Sequence, residues 1–241
     1  MNKLQIDKHE IPFGIERSQG KRISLRFKAE SDMLILKTPD GRLSSQAKSF
    51  IQQKERWILR TFLRIQAMQD KKREFWELLR KGKVWYLGTE YTVRIHRARA
   101  FSVQVKEQEI YLGLRGVEGP RITVDILKKM LIHLAKEYLI PQTQTWARQT
   151  DSWVNKIFIK DQRSKWGSCS GKRNINLNWH LILLPPPLID YLIVHELMHL
   201  REMNHSPAYW RWVARYYPSY KEAQKALHTY DWVIGVLDKQ W

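Results

Sequence analysis

His195 and His199 stand four residues apart in the run Val194-His195-Glu196-Leu197-Met198-His199-Leu200. On a helix such residues lie one above the other on a single face, so both imidazoles can aim at one metal ion. Glu196 leaves the helix at a different angle, from which its carboxylate can hold a metal-bound water rather than the metal. His205 follows six residues after His199. Asn204 tolerates the left-handed conformation that ends helices, and Ser206-Pro207 has the form of an N-cap followed by a first helical residue. His205 is therefore expected in a tight corner between two helices. Three neutral imidazoles and one water would complete the tetrahedral shell of a catalytic zinc, one ion per chain.

The elements around these residues must bury them. Leu188 to Leu200 is apolar nearly all round, as in a helix covered on most sides. Two histidines and a glutamate inside such a helix are costly to desolvate unless something binds them. A metal is the natural partner; the alternative is a structural helix whose polar groups are satisfied by protein neighbours. Pro185-Pro186-Pro187 can rigidly feed the first turn, and Asp190 there suits the helix dipole. Upstream, the pattern gives a helix from about Val124 to Gln149, kinked or divided at Pro141, and a short buried strand at Ile157-Phe158-Ile159. Arg163 to Ser170 reads as a small-residue loop and Asn174 to Trp179 as a strand. Tyr209 to Tyr217 and Tyr220 to Trp232 read as closing helices.

The N-terminal part carries β signals. Ile23, Leu25 and Phe27 alternate with polar neighbours, Leu34 and Leu36 follow a Ser31-Asp32 turn, and Pro39-Asp40-Gly41 closes the unit. Ser44 or Ser45 can cap a helix carrying Phe50, Ile51, Trp57, Ile58, Phe62, Ile65 and Met68, with a second helical piece near Glu74 to Lys81 ending at Gly82. Strand patterns return at Val84–Leu87, Tyr91–Ile95, Phe101–Val105 and Ile110–Leu112. Composition shifts at Gly113 to Pro120, which marks a junction between a β-rich and helical domain, 1–116, and a domain holding the histidines, 117–241. No internal repeat is evident. The fold class is α+β.

The 241 residues carry 42 Lys and Arg against 24 Asp and Glu, a formal net charge of +18. This favours a negatively charged partner such as a nucleotide, nucleic acid or acidic polypeptide, against the plainer reading that scattered basic residues serve solubility. Cys169 is the only cysteine, so no intrachain disulfide can form, which fits a reducing compartment. Met1 to Glu10 lacks the apolar core of a signal peptide, and the most apolar stretch is broken by prolines and Asp190. A cytoplasmic protein without a membrane span is expected.

Several runs together carry a resemblance: Arg163-x-x-Trp166-Gly167-Ser168-Cys169-Ser170, Ile175-Asn176-Leu177-Asn178-Trp179, His195-Glu196-x-x-His199 and Asn204-His205-Ser206-Pro207. They are similar to the YgjP-type (DUF45) zinc metallopeptidases over most of residues 155–230. The resemblance implies a zincin-like domain, a small sheet packed on helices with the active-site helix beneath an edge strand. It further implies His195, His199 and His205 as zinc ligands and Glu196 as general base. Arg163, Trp166 and Asn176 are candidates to line a substrate cleft, although Trp166 could equally be core. Tyr209 could stabilise an oxyanion or simply pack. Cys169 is not expected as a fourth ligand, because a closed shell would expel the catalytic water. Glu202 stands where metzincins have glycine, so the turn must form later, at Met203-Asn204. His180 stands where arginine is expected in this family, which would alter specificity if that position touches substrate.

These features favour a zinc-dependent peptidase that cleaves peptides or proteins with a Glu-activated water, an extended substrate pairing with an edge strand near Asn174 to Asn178. The enzyme alternative is a metal-dependent phosphohydrolase acting on nucleotides, for which the positive charge is apt. The third reading is a basic nucleic-acid-binding protein with a structural zinc, and it requires a fourth protein ligand.

Overall fold

A computed structural model describes residues 2–28, 32–116 and 122–237. The chain forms two compact units, Met1–Lys71 and Lys72–Trp241. In the first, β1 (Asn2–Ile6), β2 (His9–Arg17), β3 (Ser24–Phe27) and β4 (Leu34–Thr38) form one sheet in the order β1-β2-β4-β3, with β2 and β4 parallel. Period-two alternation puts Ile11, Phe13, Leu34 and Leu36 on one face, where they pack with Ala47, Ile51, Ile58 and Phe62 of α1 (Ser45–Arg80). α1 is one continuous helix of 36 residues rather than the two pieces expected. No Gly or Pro interrupts it, and Ser44 Oγ caps its start by accepting from Ala47 N–H at 3.2 Å. Its end is as read: Gly82 adopts φ +70° and donates its N–H to Leu79 O.

The second unit opens on another four-stranded sheet, β5 (Lys83–Tyr86), β6 (Thr89–Arg97), β7 (Ser102–Lys106) and β8 (Glu109–Leu114). Its order is β5-β6-β8-β7, the topology of the first sheet strand for strand. The ladders also correspond. Lys3 faces Pro12 as Lys83 faces Thr92, and Phe13 faces Leu34 as Val93 faces Ile110. Both hairpins turn on a residue of positive φ, Asp7 at 49° and Leu87 at 51°. The ion pairs Lys3–Glu10 and Lys83–Glu90 occupy matching positions. So do the bonds Ser18 N–H to Thr38 O and Ala98 N–H to Leu114 O. Each sheet is followed by a long helix, α1 and then α2 (Val124–Gln149). The chain therefore contains an internal structural repeat that the sequence does not announce, because the copies share apolar pattern and register rather than residue identity.

The second copy packs with the histidine-bearing half. Leu87 N–H donates to Ile182 O at 2.7 Å, and Gly88, at φ +76°, lies so close to Pro185 that a Cβ would sit 2.7 Å from its Cγ. The division between compact units falls inside α1, whereas composition marks a boundary at 116/117; of the Gly113 to Pro120 junction, residues 117–120 lie outside the described residues, as does Ser31 of the expected Ser31-Asp32 turn.

α2 has the bounds read from its pattern, and Thr123 caps it. It runs through Pro141 without dividing, because the proline is on the exposed face, where water can take the carbonyl left unpaired one turn back. A three-stranded sheet follows: β9 (Lys156–Lys160), β10 (Gly167–Cys169) and β11 (Asn174–Asn178), in the order β10-β11-β9. Two expectations are corrected here. Part of the small-residue loop is a strand, β10, and Asn174–Asn178 is the sheet's centre, paired on both sides and closed to a further strand. Among the described residues, the unpaired edge of this sheet that lies against Glu196 of the histidine-bearing helix belongs to β10. After a short 3₁₀ turn (Trp179–Leu183) come α3 (Pro186–Met198), α4 (Pro207–Tyr216) and α5 (Tyr220–Leu227), then a 3₁₀ turn over His228–Val233.

Candidate metal centre

α3 is buried on nearly every side: Ile189, Ile193, Val194 and Leu197 have no exposed surface. Each contributes on the order of 1.5–3 kcal/mol, enough together to offset the several kcal/mol that burying an ionisable group costs. Pro186 and Pro187 occupy its first turn. Asp190 Oδ1 accepts from Gln142 Nε2 and Trp146 Nε1 at 2.7 and 2.9 Å, which ties α3 to α2. His199 is the C-cap and still has right-handed helical backbone, so the four-residue spacing from His195 is kept. The chain then tightens through Leu200 N–H to Leu197 O and Arg201 N–H to Met198 O. No residue from His199 to His205 has positive φ, so Asn204 does not take the left-handed conformation expected of it. Ser206 does cap α4, its hydroxyl accepting from Tyr209 N–H at 3.2 Å, with Pro207 in the first turn.

His205 is brought back over α3 by this corner. One nitrogen from each of His195, His199 and His205 lies within 4.8 Å of the others. His195 Nε2 and His205 Nε2 are 3.2 Å apart, close to the ~3.3 Å edge of a tetrahedral site with Zn–N of about 2.0–2.1 Å. Burial, reinforced by the neighbouring imidazoles, pushes the His195 pKa down to about 3, so its ring is neutral as a ligand must be. Its Nδ1 is buried with no hydrogen-bond partner among the described residues. His199 Nδ1 is 3.2 Å from Glu202 O, the kind of backbone contact that fixes a ligating ring. Three nitrogen donors facing one another, two half-buried and one exposed, fit a borderline-soft divalent cation such as zinc. Among the described residues no fourth His, Cys, Asp or Glu joins the cluster. Cys169 is outside it, and burial pushes its thiol up to about 11.

Glu196 is 5% exposed, and burial lifts its carboxyl to about 8 against the pull of Lys165. It packs on β10: a Cβ on Gly167 would come within 2.7 Å of its Oε1. Gly167 escaped the reading of the sequence, where it is one small residue in a run of them. The other candidates part ways. Trp166 lines a cleft together with His195 and Glu196, whereas Arg163 is exposed and does not line it. Asn176 donates its amide to Ser168 O and Oγ, holding β10 to β11. Tyr209 is fully buried, and its hydroxyl donates to the His195 carbonyl at 2.9 Å. Asn178 was also missed. It is wholly buried and donates to Gln162 O and Lys165 O at 2.7 and 2.8 Å, clamping the loop that carries Trp166.

Residues 21–230 match the YgjP-like metallopeptidase domain. The chain belongs to the YgjP-like family. Membership groups it, at family level, with metallopeptidases and so with metal-dependent hydrolases acting on peptides. No curated protein and no solved structure matches the chain. No helix among the described residues is long and apolar enough to cross a membrane.

His180, where this YgjP-like chain departs from the expected arginine, is 2% exposed. Its Nδ1 is 2.7 Å from Asn178 Oδ1, and its Nε2 accepts from Gly235 N–H. It braces Asn178 rather than meeting solvent. Burial lowers its pKa from 6.5 to about 4. The folded chain therefore binds fewer protons here than the unfolded chain between these two values. Its contribution to stability is complete above about pH 6.5, is lost as pH falls toward 4, and is pH-independent below that. Urea unfolding of metal-free protein at several pH values should show a midpoint that drops more steeply on acidification in the native sequence than in His180→Gln. Equal slopes would remove His180 as a source of acid lability.

Proposed function

We propose that the chain is a zincin-like, zinc-dependent peptidase with His195, His199 and His205 as ligands and Glu196 as general base. The observation that carries this reading is the convergence of three imidazole nitrogens, two of them from α3 and its C-cap, with a buried glutamate on that helix. A zinc ion held there would act as a Lewis acid and lower the pKa of its coordinated water to roughly 7. Glu196 accepts the water proton and delivers it to the leaving amine. Burial alone favours its neutral form, and a dication nearby favours the carboxylate, so the two influences oppose each other around neutral pH. The free edge of β10 is suited to receive an extended peptide backbone above Glu196.

A phosphohydrolase would use the same metal, water and glutamate; positive charge favours it, whereas the family match favours peptides. The structural-zinc reading lacks its fourth ligand among the described residues. Zinc-loaded protein should hydrolyse members of a peptide mixture and leave nucleoside triphosphates intact, with Glu196→Gln as control. Hydrolysis of nucleotides alone would overturn the peptidase reading.

Gly167→Ala tests the placement of Glu196. A methyl group has no room there unless the carboxyl moves, and displacement by about 1 Å costs on the order of 10²-fold in rate. Zinc content should be unchanged while turnover falls by that order; wild-type turnover would mean that the carboxyl position is not critical.

A further inference from the structure

Beside His195 and Glu196 opens a cleft of about 820 Å³, within the size range that encloses most of a small ligand. Hydrolysis alone does not account for its lining. Its walls are aromatic: Trp166 from the loop before β10, Tyr191 from α3, Trp210 from α4 and Tyr220 from α5. Trp210 is fixed by stacking on Tyr220, with ring centroids 5.3 Å apart, and on His205 at 5.6 Å. Such a wall loses little freedom when an apolar side chain lies against it. The rim is basic. Lys165 stands on one side, and Lys221 and Lys225 lie one turn apart on the exposed face of α5. Among the described residues, Glu222 is the only lining acid besides Glu196. None of the three lysines forms an ion pair among the described residues.

We infer that this cleft selects peptides that carry a large apolar or aromatic side chain next to a carboxylate. The aromatic walls take the side chain, and Lys221 and Lys225 take the carboxylate. The inference rests on the peptidase reading above and adds the substrate class to it. The lysines would attract a carboxylate or a phosphate alike; the carboxylate is the anion that a peptide carries, and the family match points to peptides. An Asp or Glu side chain and a chain terminus offer the same chemistry.

The probes are acetylated, amidated Gly-Phe-Xaa-Gly peptides with Asp, Asn or Lys at Xaa, and acetyl-Gly-Phe-Gly as free acid and as amide. Binding to zinc-loaded Glu196→Gln is read by tryptophan fluorescence, and turnover is read on the zinc-loaded native sequence. The Asp peptide should bind roughly two- to fivefold more tightly than the Asn peptide, as expected for exposed charge pairs. Adding Lys221→Glu and Lys225→Glu should invert the order, with the Lys peptide now preferred; circular dichroism checks that the variant is folded. The free-acid and amide pair tells a terminal carboxylate from a side-chain one. Equal or absent binding of the three peptides, or a preference that survives charge reversal, overturns the inference. So does tighter binding of a nucleoside triphosphate that disappears on charge reversal. Cleavage of all three peptides at equal kcat/KM would sink charge selection while the peptidase reading stands. Asp-selective binding without cleavage would sink the peptidase reading while the cleft's preference stands.

Discussion

Glu196→Gln is expected to keep its zinc and lose roughly two to four orders of magnitude in turnover. The amide has nearly the volume of the carboxyl, which matters at a site closed by Gly167 on β10 and 5% exposed. It cannot accept the proton that hydrolysis must remove from water. Zinc should be unaffected, because the donors that converge are the nitrogens of His195, His199 and His205. Elemental analysis and rate must be measured on the same preparation. Retained zinc with wild-type turnover would take Glu196 out of the mechanism. Lost zinc would instead put its carboxylate in the coordination shell.

His199→Ala carries the second large effect, the loss of most bound zinc. Removing a group that merely orients a ligand lowers metal affinity by roughly 10–100-fold, and removing a ligand should exceed that. His199 is the most informative of the three, since it ends α3 and its ring is steadied by the Glu202 carbonyl. Truncating it leaves a cavity at a helix end rather than in the packed core around His195. A competition titration against a chelator gives the affinity directly. Full occupancy in a variant lacking all three histidines would sink the site assignment. A smaller loss in His205→Ala than in His199→Ala is also expected, because His205 is exposed and water can replace it.

The parts of this site that were legible in the sequence are those written in short-range spacing. The His195–His199 interval, the Ser206-Pro207 cap and the ends of α2 all follow from contacts within a few residues. What stayed hidden depends on residues far apart in the chain. β10 has only three residues, and Gly, Ser and Cys carry no strand pattern; the strand exists because β11 pairs with it. Gly167 and Asn178 matter through Glu196 and through the loop at Gln162 and Lys165, contacts that no local periodicity encodes. Tyr209 was ambiguous because its hydroxyl could have faced substrate, and its bond to the His195 carbonyl is visible only in the fold. α1 was split in two because its apolar stripe weakens after Met68, though nothing in its sequence breaks the backbone.

Two sheets of one topology in a single chain create a hazard during folding. A hairpin from one copy has the register, the turn and even the ion pair needed to complete the other copy's sheet, and misassembly between like segments is a characteristic failure of repetitive chains. The divergence of the copies opposes this exchange. Trp85 of β5 packs against Phe75 and Trp232, with centroids 6.2 and 5.2 Å away. The matching residue of β1 is Gln5, whose amide donates to Asp7 O in its own turn. A swapped β1 would leave that aromatic cluster without one of its rings and set an amide against apolar neighbours, each a cost of a few kcal/mol. The same substitutions that disguise the repeat thus keep each hairpin in its own sheet, and Gln5→Trp should raise the yield of trapped, non-native species on refolding.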